Sequence, residues 1–233
     1  MRNYLIFNGK STKDFGVYIS GLNTYNAPER DVEIISIPGR NGDLTIDNRR
    51  YKNITVSYPA FIYDRFDQNV EGLRNYLLSQ RGYVRLEDSY HPNEYRLARF
   101  KGEFSAKPVD WLEAGEFELE FNCYPQRFLK SGEQTITFEA ADSLFNEHMP
   151  SKPVIRAYGT GSLTINGVSV LITSANVYTD IDCDLEEAYK GSTNCNGNIV
   201  LNNGKFPVLE SGSNSISISN LTKIEITPRW WVL

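Results

Sequence analysis

Glu116-Phe117-Glu118-Leu119-Glu120-Phe121-Asn122-Cys123 alternates polar and apolar side chains without a break. Successive side chains of a strand point to opposite faces, so this period of two predicts a half-buried antiparallel strand with a charged outer face. The same reading extends outward. Ser162–Ile165 and Val168–Ile172 flank Asn166-Gly167, a dipeptide suited to a type I′ turn, and predict a hairpin. Asn203-Gly204 and Ser211-Gly212 mark further turns. Ile224 and Ile226 alternate with Lys223 and Glu225 until Pro228 ends the ladder. One helix stands apart: from Asp64 to Gln80, Phe66, Val70, Leu73 and Leu77 recur on one helical face. Asp64 is positioned to cap its start, and Gly82 to take the left-handed turn beyond its end. Gly72, inside the helix, costs about 1 kcal/mol relative to Ala, so the helix must rely on packing. The chain is therefore expected to be mainly β, with an α+β first domain carrying the single helix.

The 233 residues suit one or two domains at roughly 100–200 residues each. Composition divides them near residue 130. Residues 1–130 hold 18 basic and 18 acidic side chains, which leaves 6 basic and 11 acidic for residues 131–233 and so the whole net charge of −5. Ser, Thr, Asn and Gly make up more than a third of the second part and under a quarter of the first. Lys130-Ser131-Gly132-Glu133 reads as the linker. Two domains are expected, 1–130 and 131–233. Short strands with frequent turns make the second a β-sandwich.

Residues 28–52 form an arm-like segment. Val32–Ile37 is strand-like, Pro38-Gly39-Arg40-Asn41-Gly42 packs two turn signals into five residues, Asp43–Ile46 is strand-like again, and Asp47–Lys52 is a charged return. A hairpin this charged has little to bury alone. Two readings stand: an exposed hairpin of the first domain, or an arm that packs on a neighbouring subunit.

Several functions are excluded or left without support. An acidic chain lacks the basic surface that phosphate contacts require. No stretch approaches about 18 apolar residues, so no transmembrane helix is expected. Met1-Arg2-Asn3-Tyr4-Leu5-Ile6-Phe7 reaches Asn8-Gly9-Lys10 too soon for a secretory signal. Cys123, Cys183 and Cys195 show neither zinc spacing nor an even count, and free thiols are expected. His91 and His148 sit in loop-like contexts with no nucleophile motif beside them, so no catalytic site and no cofactor are predicted. Asp180, Asp182 and Asp184 would share one strand face, where they repel unless solvated or bound to a cation, and a solvated acidic edge is expected. Leu185 and Gly191 stand where an EF-hand requires Gly and Glu. Glu186 and Glu187 are adjacent and would face opposite sides of a strand, which does not suit a glycosidase pair. Trp230 and Trp231 are the candidate sugar-contact residues, against a core or rim-packing role.

Taken together, several segments resemble the distal tail (Dit) proteins of siphophages that infect Gram-positive bacteria. They are Phe7–Ser11 with Asp14-Phe15-Gly16, Arg30–Glu33 leading into Ile37–Leu44, Arg85–Pro92, Tyr95–Phe100, Phe121–Pro125, Ser151-Lys152-Pro153, Ile181-Asp182-Cys183, Ala188–Gly191 and Pro228–Trp231. Their order spans the whole chain, as in two-domain members of that family. The resemblance implies an N-terminal β-sandwich with a belt hairpin and a C-terminal galectin-like or jelly-roll sandwich. It implies a homo-hexameric ring at the virion tail tip, assembled in the host cytoplasm. That ring would join the tail-tube protein to the tail-associated protein and dock receptor-binding or baseplate proteins, with DNA passing through unbound and no membrane contact. The arm falls in the family's belt segment, which favours the subunit-contact reading. Ile34, Ile37, Pro38, Gly39, Arg40, Asn41, Gly42 and Leu44 are the subunit-interface candidates. The competing class is a carbohydrate-binding adhesin, working through the second domain.

Overall fold

The computed structural model describes residues 2–21, 26–102, 105–109 and 114–233. The chain forms two compact units, one running through Arg127 and taking in Leu233, the other Phe128–Val232.

The first unit contains Leu5–Phe7 (β1), Lys10–Ser11 (β2), Val17–Ile19 (β3), Arg30–Ile35 (β4), Leu44–Tyr51 (β5), Ile54–Ile62 (β6), the helix Phe66–Ser79 (α1), Val84–Asp88 (β7), Glu94–Phe100 (β8), Lys107–Val109 (β9) and Ala114–Cys123 (β10). Its main sheet runs β2-β1-β7-β8-β10-β6-β3, with β9 also paired to β10. The alternating segment is β10, and it pairs with β6 along nine residues, from Gly115↔Ile62 to Cys123↔Ile54. Phe117, Leu119, Phe121 and Cys123 are buried, while Glu116 and Glu118 face out. The sheet curls back on itself. Phe7 on β1 and Phe121 on β10 are separated by two strands in the order, yet their rings lie 5.1 Å apart. The two ends of the order meet where Asn3 bridges Ile19, the Ile19 amide donating to the Asn3 carbonyl at 2.9 Å.

Helix α1 packs Phe66, Leu73 and Leu77 into this core. Its start differs from expectation. Arg65, in the left-handed region, is the N-cap residue and makes no side-chain cap; the Asp64 carbonyl instead accepts from Asn69 Nδ2 at 2.9 Å. Gly72 has a specific use. A Cβ there would stand 3.3 Å from the Phe15 ring, so the glycine makes room for that ring on the helix.

The second unit contains Ile136–Phe138 (β12), Asp142–Asn146 (β13), Val154–Tyr158 (β14), Gly161–Ile165 (β15), Val168–Ile172 (β16), Tyr178–Asp182 (β17), Glu187–Lys190 (β18), Thr193–Asn194 (β19), Ile199–Leu201 (β20), Gly212–Ser219 (β21), Lys223–Thr227 (β22) and Trp231–Val232 (β23); Arg127–Leu129 (β11) spans the boundary between units. Two antiparallel sheets, β12-β22-β14-β17-β18-β19 and β13-β21-β15-β16-β20, enclose one core, which makes a sandwich. The predicted hairpin is β15–β16, with Asn166 at φ 50° and Gly167 at φ 80°, the positive angles a type I′ turn requires. Lys130–Glu133 is not a loose linker. It is a short 3-10 turn whose buried Gly132 lies flat against the Trp230 backbone.

Candidate functional site

The segment 28–52 folds as β4 and β5, a two-stranded sheet that no other strand joins among the described residues. The charged return expected at Asp47–Lys52 is instead mostly strand, since β5 continues to Tyr51. The tip is built by its own sequence. The Arg40 amide donates to the Ile37 carbonyl at 3.2 Å, with Pro38 and Gly39 between them and Gly39 at φ 82°. Proline at the second position and a positive-φ glycine at the third are the requirements of a type II turn. The base is fixed by charge. Arg30 grips the Asp47 carboxylate through Nε at 3.1 Å and Nη2 at 2.8 Å, Arg50 Nε reaches Asp31 at 2.6 Å, and Lys52 reaches Glu29 at 3.3 Å. The Arg30 and Arg50 guanidiniums hold the carboxyls of Asp47 and Asp31 below the usual carboxylate range.

The apolar side chains of the arm are left in water. Ile34 is 63% exposed and Leu44 40%, and Ile35, Ile37 and Ile46 are exposed as well. The register Ile35↔Leu44 and Glu33↔Ile46 places Ile35, Leu44 and Ile46 on one face of the hairpin and Ile34 on the other. Pro38, Gly39, Arg40, Asn41 and Gly42 are all exposed at the tip. The structure thus brings the eight sequence-predicted arm residues together on one projecting element. Ile35 and Ile46 fall in the two strand-like segments of the sequence but not among the interface candidates; the alternation Leu44-Thr45-Ile46 carries the signal for Ile46. A two-stranded hairpin by itself is marginal in water. Chemically the arm offers apolar contact and charge; it holds no nucleophile and no metal-ligand set.

The other candidates lie elsewhere. Trp230 is 8% exposed and belongs to the core of the second unit, so its ring is spent on packing and presents no face to a sugar. Trp231 is half-buried, and its Nε1 donates to the Pro150 carbonyl at 2.9 Å. The expected solvated acidic edge is overturned for Asp180 and Asp182, while Asp184 is exposed as expected. Asp180 and Asp182 are buried on the central strand β17, and each carboxylate is held by a guanidinium: Arg156 at 2.7 Å and Arg229 at 2.7 Å. Burial raises the Asp182 carboxyl, but the Arg229 hydrogen bonds and the amides of Leu185 and Asp184 outweigh it, and the net shift is downward.

Among solved structures, the chain superposes on SPP1 Dit, described as a paradigm of the hub adsorption apparatus in phages infecting Gram-positive bacteria. The TM-score is 0.74 at 13% identity, with 97% of this chain and 98% of that one covered. The chain has the Dit fold. Two structures of the phage P2 baseplate in its activated conformation, with Ca and with Sr, match at TM-scores of 0.51 and 0.52, 11% identity and 97% coverage of both chains. No family model and no curated protein sequence matches the chain. The Dit fold covers both units in chain order, which bears out the sequence resemblance at the level of architecture. Among the described residues, no helix is long and apolar enough to cross a membrane.

Proposed function

We propose that this chain is a structural hub of a siphophage tail tip, assembling through its arm into a closed ring of six copies. The ring joins the tail-tube protein to the tail-associated protein, and the second unit presents a surface to receptor-binding or baseplate proteins. One observation supports the reading: a chain with the Dit fold over nearly its full length carries five exposed aliphatic side chains, Ile34, Ile35, Ile37, Leu44 and Ile46, clustered on one two-stranded hairpin. Such side chains gain about 25 cal/mol per Å² of apolar surface when covered, and each of these keeps more than a third of its surface exposed. The balanced charge of residues 1–130 suits a lumen through which DNA slides without sticking. No catalytic step is assigned.

The test is to replace residues 34–46 with a Gly-Ser turn in the full chain. Light scattering of the parent should approach six copies of 26.5 kDa, about 160 kDa. The shortened protein should fall to monomers or open fragments while circular dichroism keeps the α1 signal. A shortened protein that retained the parent mass would overturn the arm's role.

A further inference from the structure

The hub reading gives the arm a neighbour but no landing place, and the first unit has a surface whose chemistry fits it. Across three adjacent strands, Tyr18 on β3, Phe61 on β6 and Glu116 on β10 stand side by side on the outward face. In the next row Pro59 lies beside Glu118. Tyr63, just past β6, completes an aromatic cluster, with its ring 4.8 Å from Phe61 and 6.4 Å from Tyr18. Tyr63 is 52% exposed. Glu116 and Glu118 are exposed, Glu116 standing directly opposite Lys107 of β9 in the register, whereas Glu120 on the same strand is held by Lys101 at 2.7 Å.

The arm carries much of the complement. On one face Ile35, Leu44 and Ile46, beside the exposed Glu33 at the end away from the tip, match the rings. At its tip Arg40 is exposed and unpaired among the described residues, while Arg30, Arg50 and Lys52 at the base already have carboxylates. The rings also hold guanidinium groups readily: Arg2 sits 4.2 Å from the centroid of Tyr63 and 5.2 Å from that of Tyr18. The occupant comes from another chain, because both the arm's aliphatics and Tyr63 are exposed in their own.

Other surfaces fit less well. On the β12–β19 sheet, the carboxylates of Asp180, Asp182 and Glu225 are already taken by Arg156, Arg229 and Lys223. On the opposite sheet, the exposed Phe145 and Leu171 pair with Ser213 and Ser162, and these rows carry no acid. From this complementarity we infer that the outward face of β3, β6 and β10, formed by Tyr18, Phe61, Tyr63, Glu116 and Glu118, receives the arm of a second copy. Arg40 meets the two carboxylates and Ile35, Leu44 and Ile46 cover the rings. This rests on the hub reading and adds the receiving half of the contact.

The experiment uses the full chain. Reversing both carboxylates, Glu116→Arg with Glu118→Arg, places like charges opposite Arg40. The concentration needed for half-assembly, read by light scattering, should then rise by about tenfold or more. Arg40→Glu alone should do the same, and combining the three changes should restore assembly. In a Cys195→Ser background, Arg40→Cys with Glu118→Cys should give covalent multimers on a non-reducing gel. If replacing residues 34–46 dissolves the ring, while the reversed carboxylates leave half-assembly unchanged and no crosslink forms, the hub reading stands and this landing face is wrong. If neither the replaced arm nor the reversed carboxylates alter the mass, the arm-based hub reading fails and takes this inference with it.

Discussion

Gly132 shows how much one residue can determine. A Cβ at this position would lie 2.1 Å from the Trp230 backbone nitrogen, closer than any real contact. The Gly132 carbonyl accepts from the Arg229 amide at 2.8 Å, and the Leu129 amide donates to the Trp230 carbonyl at 2.9 Å, so the two ends of the second unit are clasped there. Gly132→Ala should destabilise that unit by on the order of 3 kcal/mol, read by thermal unfolding. Asp182 sets a second test. Its folded pKa is depressed, so its contribution is present at neutral pH and is lost as pH falls through and below the ordinary Asp range near 4. Asp182→Asn should cost about 2–3 kcal/mol at pH 7, moderated because Arg229 is partly exposed, and the variant should lose less stability than the parent on acidification. Burial pushes the thiols of Cys123 and Cys183 up to about 12, so maleimide at neutral pH should label Cys195 first in the native protein. None of the Gly132 geometry was legible in the sequence. Ser-Gly between charged residues has the same composition in a linker as in a turn seated against another strand. The acidic triplet misled for a related reason: Arg156 and Arg229 lie 24 and 47 residues away from the aspartates they neutralise.

At the scale of elements, period decided what could be read. The strict alternation of β10, the Asn166-Gly167 hairpin and the spacing of Phe66, Leu73 and Leu77 were all legible, because each signal is local and periodic. Helix ends were less legible, since Arg65 in a left-handed conformation takes the place that Asp64 was expected to fill. Gly72 read as a flaw and proved to be a seat for Phe15. Two substitutions separate these effects. Leu73→Ala removes a side chain that is 1% exposed and should cost the first unit about 2–5 kcal/mol. Gly72→Ala gains intrinsic helix propensity but presses on Phe15, so its benefit should fall short of the roughly 1 kcal/mol expected at an open helical site. Denaturant unfolding of the full chain measures both. The arm was legible as a hairpin of uncertain use: its turn chemistry is written in Pro38 and Gly39, whereas the identity of whatever covers it is written on a different surface.

For the molecule as a whole, composition pointed to two parts near residue 130, and we propose a division of labour along that line. Residues 1–130 alone should still oligomerise and residues 131–233 alone should stay monomeric, as checked by light scattering. Because Gly132, Trp230 and the β11 strand lie close to the cut, a second pair of fragments divided after Arg127 controls for damage at the junction. The path of the chain out of the arm carries a mechanical consequence. Only Lys52 and Asn53 separate β5 from β6, and β6 is zipped to β10 along nine consecutive residues. Tension applied to the hairpin therefore enters the longest ladder of the first unit at its end. A pull directed along β6 would load those hydrogen bonds together in shear, rather than parting them one by one as a peel from a sheet edge does.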